Sequence, residues 1–373
     1  MYMLLKFARN QLHYRLLQYQ KPNKMRIQDE TKDPSRALTL ILASTYALSG
    51  VTQPLIMTLI KEAGISDPRA QLYMVFYYLG PASVGLSVKT WPSPSKIGMT
   101  ALIAMFDLSA QAMNYTGSTL AGPTIFSIIY SSVTVWTAIF SFLLLRRRLS
   151  AFQWLGVVVV FGGLCVMGLQ SVSLGTDVIH GSLLVFLGSC MHALTYVMSE
   201  GIMHDDHVSI QANCAIQGIV CCTSVGAWQL MYTRTHLEEV LLDPLQDAGT
   251  SWMHALLLLL SFGLSNFVHA LSFFFTLRHF PGGSTSAGVM KGLQAVLVFV
   301  VTSVVYCGRL GGPEMCFSSL KLTSLLTVVA GVALFGHATE QARCKIEEGY
   351  EAIAQHEDEQ GDRQQRSLLD STC

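Results

Sequence analysis

Charge is the commodity this sequence is shortest of. Only 13% of its 373 residues are Asp, Glu, Lys or Arg, about half the roughly 25% of an ordinary soluble domain. A soluble chain of this length folds as two or three domains wrapped in solvated surface, and there is too little charge here to cover one. Neither sign predominates: 24 basic residues balance 24 acidic ones, which excludes the basic footprint of a nucleic-acid partner. The nine cysteines form no CxxC pair of zinc spacing and no dense disulfide framework. HExxH is missing, as are paired intramembrane aspartates, so an intramembrane enzyme has no support and neither metal nor cofactor is expected. The apolar stretch Met1 to Leu5 is too short for a signal peptide and charge follows it at once. The first hydrophobic span is therefore expected to target the chain and to stay in it.

What the sequence has instead is apolar length. Hydrophobic residues make up 51% and gather into runs of the size a membrane helix needs, about 20 residues for a hydrocarbon core about 30 Å thick. Ten runs qualify: 37–60, 70–88, 97–114, 119–145, 151–170, 179–199, 208–232, 253–277, 283–306 and 319–338. The second and third carry the most polar residues. Barrel strands show about ten alternating residues each, so these runs exclude a β-barrel and predict an all-α polytopic membrane protein lying in a lipid bilayer. Ten spans also sort the basic residues. The N-tail (Lys6, Arg9, Arg15, Lys21, Lys24, Arg26, Lys32, Arg36), Lys89, Lys96, Arg146 to Arg148, Arg278 and the C-tail (Arg343, Lys345, Arg363, Arg366) share one side; Lys61, Arg69, Arg234 and Arg309 fall on the other. Basic residues mark the cytosolic face, so both termini are expected in the cytosol.

The organisation expected is a basic N-tail (1–36), a first five-helix unit (37–170), a lumenal connector (171–178), a second five-helix unit (179–338) and a polar, disordered C-tail (339–373). The division rests on a repeat. Gly117-Ser118-Thr119-Leu120-Ala121-Gly122 recurs as Gly283-Ser284-Thr285-Ser286-Ala287-Gly288, and each copy reads as the opening of a long apolar helix. Gly163 and Gly168 are likewise matched by Gly331 and Gly336. Five helices is an odd number, so the second unit crosses in the opposite sense. A 5+5 inverted repeat is the architecture of secondary transporters, in which two equivalent halves exchange conformations around one central site.

These residues resemble the drug/metabolite transporter superfamily, and within it the nucleotide-sugar-transporter-like (solute carrier family 35-like) branch. The resemblance is densest over Asn114 to Gly168, including "LLLRRRLSAFQWLGVVVVFGGL", and over Ser286 to Gly336. It implies cytosolic termini and a cavity open alternately to cytosol and lumen. Transporters of the GDP-mannose type carry Gly-Ala-Leu-Asn-Lys in the ninth helix. The stretch here is Ala287-Gly288-Val289-Met290-Lys291, which keeps the lysine at Lys291 but has Met290 for the asparagine. The Phe-Tyr-Asn-Asn motif of the seventh helix is missing from 208–232.

Ionisable groups inside a bilayer are costly and face a cavity or a partner. Lys291 can bind an anionic group of a substrate, snorkel to the cytosol, or pair with Asp107. Asp107 can pair with Lys291, carry a coupling proton or bind an amine. Gln111 and Asn114 follow on the Asp107 face at helical spacing, and Gln294 follows Lys291. Lys291, Asp107, Gln111, Asn114 and Gln294 form the expected substrate site. Gln53, Asn213, Gln217, Asn266 and His269 read as interhelical hydrogen-bonding groups, and His192 as a core histidine. Tyr77, Tyr78 and Tyr130 could stack on a ring but are not distinguished from ordinary helix aromatics. His204-Asp205-Asp206-His207 reads as a solvated loop, and Asn114-Tyr115-Thr116 as a sequon too close to the bilayer for glycosylation. Cys307 and Cys316 flank one lumenal loop and could form a disulfide. The basic, leucine-containing N-tail serves topology or lies on the membrane, and Ser367-Leu368-Leu369 is a weak dileucine signal.

The function expected is secondary active transport of a small-molecule substrate across a Golgi, endoplasmic-reticulum or other endomembrane, by antiport of a nucleotide-sugar-like or other anionic metabolite. A proton-coupled carrier of drugs, amino acids or peptides is the alternative, and association into a homodimer is left open.

Overall fold

The structure is a computed structural model and describes residues 36–145, 149–204, 208–279, 284–310 and 315–341. Helices dominate it: α1 (Arg36–Glu62), α2 (Leu72–Ser83), α3 (Pro94–Tyr130), α4 (Val133–Leu145), α5 (Ala151–Leu174), α6 (Thr176–His204), α7 (Ile210–Met231), α8 (Trp252–His279), α9 (Ser284–Val301) and α10 (Ser319–Gln341). Short helical turns extend α2 (Val84–Ser87) and α9 (Thr302–Tyr306). A 3-10 turn (Thr233–His236), a π turn (Glu238–Leu242) and a short helix (Asp243–Asp247) link α7 to α8. Among the described residues there is no strand. Hydroxyl groups start some helices, as expected for free backbone N–H donors. Ser150 and Gln153 close a reciprocal capping box on α5, and Ser209 caps α7.

The polarity of the bundle is inverted relative to a soluble protein. Leu40, Ile41, Leu48, Val158, Leu187, Leu264 and Val304 are each more than half exposed, while Asn114, Asn213, Ser189, Thr276, Lys291 and Gln294 are buried. Apolar surface on this scale is not tolerated in water and is the surface lipid requires. Helix backbones approach one another at small residues, which pack well in a bilayer. A Cβ on Gly117 would lie 2.6 Å from the Gly181 carbonyl, one on Gly218 2.2 Å from the Ala82 nitrogen, and one on Gly156 2.9 Å from the Gly331 carbonyl.

α3 is not one rod. Gly117 abuts Gly181 and Asn114 abuts Gly188, so the first arm of α3 runs antiparallel to α6. Asp107 then meets His192, and so does Tyr130, which lies eight residues beyond Gly122. The chain therefore reverses at Gly122, whose φ of 81° and ψ of 161° break the helix. Glycine alone takes that backbone without a Cβ penalty, and Pro123 starts the returning helix with its preset φ.

Among the described residues five helices are long and apolar enough to cross a membrane, or six if α3 and α4 count as one bent pair. The ten spans expected from hydropathy are therefore not all matched by length. α2 has only 12 residues, about 18 Å at 1.5 Å per residue. The reversal also lies at Gly122, not between 114 and 119. As a result the first copy of the repeated hexapeptide ends a helical arm, whereas Ser284 in the second copy opens α9. The expected connector 171–178 narrows to Gly175 (φ 117°), because α5 runs on to Leu174 and α6 starts at Thr176. The N-tail, the C-tail with Ser367 to Leu369, and Asp205 to His207 lie outside the described residues.

Candidate functional site

Residues from α1, α2, α3, α6, α7, α8 and α9 line a cavity within the bundle. Its lining falls in the second half of α1, α6 and α8, around the middle of α2, α9 and the first arm of α3, and in the first half of α7. The cavity thus lies near mid-bundle. Toward the far end, where α1 terminates, aromatic rings pack against one another. Tyr73, Tyr115 and Phe262 meet edge to face with centroids 5.3 to 6.2 Å apart, and Thr124 bonds Thr302.

That far end is also latched. Arg69, between α1 and α2, donates to Asp67 at 2.9 Å and to Glu239 of the α7–α8 link. Its carbonyl accepts from Trp228 Nε1 at 2.8 Å, and the Ala70 carbonyl accepts from Gln229 at 2.6 Å. Beneath these, Ala63, Ile65 and Ala70 pack with Val240, Leu241 and Leu245. Burial alone would raise the Asp67 carboxyl, but the hydrogen bonds and charge of Arg69 prevail and hold it below the usual carboxylate range. The bonds to Asp67 and Glu239 push the Arg69 guanidinium still higher, so it stays charged.

Two histidine-centred chains cross the cavity. In the first, the Asp107 carboxylate accepts from the Tyr78 hydroxyl at 2.9 Å and faces His192 Nε2 at 3.3 Å. His192 Nδ1 lies 2.8 Å from the Tyr130 hydroxyl, which is 3.4 Å from that of Tyr196. In the second, Lys291 Nζ lies 3.3 Å from His269 Nε2, and His269 Nδ1 lies 2.9 Å from Ser49 Oγ. Ammonium has no acceptor capacity, so Lys291 donates and His269 must carry its proton on Nδ1. Ser49 accepts that proton and passes its own to the Tyr46 carbonyl. The ammonium also sits 5.0 Å from the Tyr46 ring centre and 5.2 Å from that of Tyr130, close enough for cation–π attraction.

Four of the five expected site residues, Lys291, Asp107, Gln111 and Gln294, line this cavity. Gln111 donates to the Tyr77 hydroxyl at 2.7 Å, and Gln294 donates to the Tyr46 carbonyl at 3.1 Å. Asn114 does not line it. It is fully buried against Gly188 on the α6 side of α3, and its amide finds no hydrogen-bond partner among the described residues. Lys291 and Asp107 are not paired; each turns to a histidine. Gln53 and Asn266 do bridge helices as expected, with Gln53 donating to Asn266 at 3.0 Å. Sequence reasoning read His192 as a core histidine, His269 as an interhelical hydrogen-bonding group and Tyr130 as an ordinary helix aromatic, and it passed over Tyr46. An i, i+4 relation of His192 to Tyr196 was the available signal, and it resembles any buried aromatic pair. Cys307 and Cys316 are joined in a disulfide. Among the described residues no cluster of His, Cys, Asp and Glu could hold a metal ion.

Apolar, lipid-ready helices around a partly polar cavity define a multi-pass membrane protein. Its relatives give the class a name: residues 37–169 match the EamA-like transporter family, of the drug/metabolite transporter superfamily. The chain is also homologous to solute carrier family 35 member F6 of mouse and of human, each 24% identical over 250 residues. The match covers 62% of this chain and 64% of those relatives, so it spans less than two thirds of their length. One solved crystal structure superposes with a TM-score of 0.51 at 12% identity, over 83% of this chain and 99% of its own; that likeness concerns the fold alone.

Proposed function

We propose that this protein is a secondary carrier, moving a small organic solute across an endomembrane by alternating access, with the α1–α9 cavity as its binding site. The observation that carries the proposal is a buried ammonium, Lys291, held on aromatic rings and a neutral imidazole in a cavity amid lipid-facing helices. Ligand pockets are concave and largely apolar, with a few polar groups that fix the ligand's orientation, and this lining has that composition. Asp107 accepts from Tyr78 and lies 3.3 Å from His192 Nε2, whereas among the described residues Lys291 has no acidic partner. The less satisfied charge is the cation, which favours an anionic solute, nucleotide-sugar-like or otherwise, exchanged by antiport. Tyr77, Tyr130, Tyr196 and Phe273 supply faces for a ring.

Ten crossings in a 5+5 inverted repeat accord with the packing. Exchanging each helix for the one five places away turns the contact of α1 with α8 into that of α6 with α3. It turns α2 with α8 into α7 with α3, and α1 with α9 into α6 with α4; all six contacts exist. The reversal at Gly122 adds a crossing that helix length alone conceals. With ten crossings the basic residues place both termini in the cytosol.

The test is thermal stability of the purified protein against nucleotide sugars, nucleoside monophosphates, sugar phosphates, amino acids and cationic drugs. A ligand bound only by the folded state raises the melting temperature. Stabilisation by one anionic class, lost in Lys291→Ala, is expected. Stabilisation by amines alone, unchanged in Lys291→Ala, would overturn the anion assignment.

A further inference from the structure

We propose that Asp107, His192 and Tyr130 form a proton-binding site, and that one proton is taken up with each anionic solute bound at Lys291. The first half stands on the geometry alone; the second rests on the function proposed above.

The two cavity histidines are set in opposite electrostatic company. His269 faces an ammonium, so its Nε2 must remain an acceptor and a second proton there would meet Lys291 directly. His192 Nε2 lies 3.3 Å from a carboxylate oxygen, and a carboxylate accepts only, so the pair favours the tautomer with its hydrogen on Nε2. Its Nδ1 then accepts from the Tyr130 hydroxyl, which in turn accepts from Tyr196. A proton entering the cavity finds its basic site at this carboxylate–imidazole pair. Once it is held there, Nδ1 donates and the direction of the Tyr130–Tyr196 bond reverses.

Among the described residues no other carboxylate faces the pair. The titratable groups that interact electrostatically with it are Tyr77 and Tyr78 on α2, Tyr115 and Tyr130 on α3, Tyr196 on α6, Cys221 on α7, His269 on α8 and Lys291 on α9, with Tyr46 on α1 beyond Tyr196 and Cys214 on α7 lining the same cavity. Glu200, further along α6, is engaged by the Ser284 hydroxyl and backbone N–H at the start of α9.

Charge balance links proton to solute. With Asp107 ionised and Lys291 protonated the vacant cavity is neutral. A monoanion leaves it at one negative charge, and isolated charge is costly in a low-dielectric interior. One proton at Asp107–His192 restores neutrality. Tyr130 touches both sites at once, with its hydroxyl on His192 and its ring under Lys291.

The full-length protein in lipid nanodiscs is titrated from about pH 8 to about pH 5, the range in which an imidazole near a carboxylate changes charge, and followed by infrared difference spectroscopy. A linked carboxylate–imidazole change is expected, lost in Asp107→Asn and lacking its imidazole bands in His192→Gln. The same spectrum in Asp107→Asn as in the natural protein overturns the site; if that variant does not fold, His192→Gln decides. Uridine 3′,5′-cyclic monophosphate, a phosphodiester that stays a monoanion and has no second phosphate proton to titrate at about pH 6, is then mixed with weakly buffered protein and proton uptake is read with a pH dye. Uptake of about one proton per bound nucleotide, reduced at least tenfold in Asp107→Asn, supports the linkage, and binding without uptake overturns it. Failure of every anionic probe to bind overturns the anion reading and the linkage with it, while the infrared result still decides the proton site.

Discussion

The Lys291 ammonium is 4% exposed and His269 is its hydrogen-bond acceptor. A buried charge whose acceptor is removed bears the full desolvation cost of that group, about 1–3 kcal/mol or more. His269→Phe keeps the stacking on Tyr46, whose ring centre lies 4.7 Å from the imidazole, but removes the acceptor. Denaturant melts in detergent are expected to show a loss of about that size, and His269→Gln, which restores an acceptor, to recover part of it. Gly218 makes a steric counterpart. An added Cβ would meet the Ala82 backbone nitrogen at 2.2 Å, and backbone cannot swing aside as a flexible side chain can. Gly218→Ala is expected to cost about 1–3 kcal/mol as an overpacking change; unchanged stability would show that α2 and α7 can part freely.

Among elements, the Gly122 reversal and the far-end latch matter most. Gly122→Ala places a Cβ at φ 81° and ψ 161°, a region essentially reserved to glycine, which costs about 1–3 kcal/mol. The same measurement on Gly162→Ala, where a Cβ meets nothing within 4 Å, serves as the control and is expected to show no loss. In the latch the sign of the pH effect follows from Asp67. Its folded carboxyl is held below the ordinary value of 3.8, so the native loop binds fewer protons than the unfolded chain. The stabilisation is complete above that value and fades as pH falls through the lower folded one. Protection factors for hydrogen exchange at residues 65–71, which allow for the slower intrinsic exchange at low pH, are therefore expected to fall below about pH 4. Arg69 and Glu239 are well exposed, so salt should weaken their share. Protection that ignores both pH and salt would mean the apolar contacts of Val240 and Leu245 hold the loop alone.

At the scale of the whole molecule, the disulfide and the repeat bear on topology. Cys307 and Cys316 close a short loop at the end of the bundle opposite the Arg36 end, and stable disulfides belong to oxidising compartments. Non-reducing peptide mapping of protein from cells is expected to recover these two cysteines linked; free thiols at both would put that end in the cytosol. Much of the architecture was legible in the sequence because lipid exposure needs long apolar runs, and these survive any detail of packing. The helix α2, with its Gly80 and Pro81, and the turn at Gly122 were harder to read. A 12-residue helix buried among neighbours needs no full-length apolar run, and a one-residue reversal leaves the hydrophobic pattern almost unbroken.

Hydropathy and charge asymmetry by themselves determined an all-helical membrane protein, since both follow from the cost of placing polar backbone and cations in hydrocarbon. They also singled out Lys291 and Asp107, because a charge inside an apolar run is conspicuous whatever surrounds it. The partners of those charges were decided only by tertiary structure. His192 reaches Asp107 from α6, a helix distant in sequence, His269 reaches Lys291 from the neighbouring α8, and Asn114 turns away from the cavity although it shares a helical face with Gln111. Helix rotation and close approach at glycines set those contacts, and a one-dimensional pattern carries no record of either.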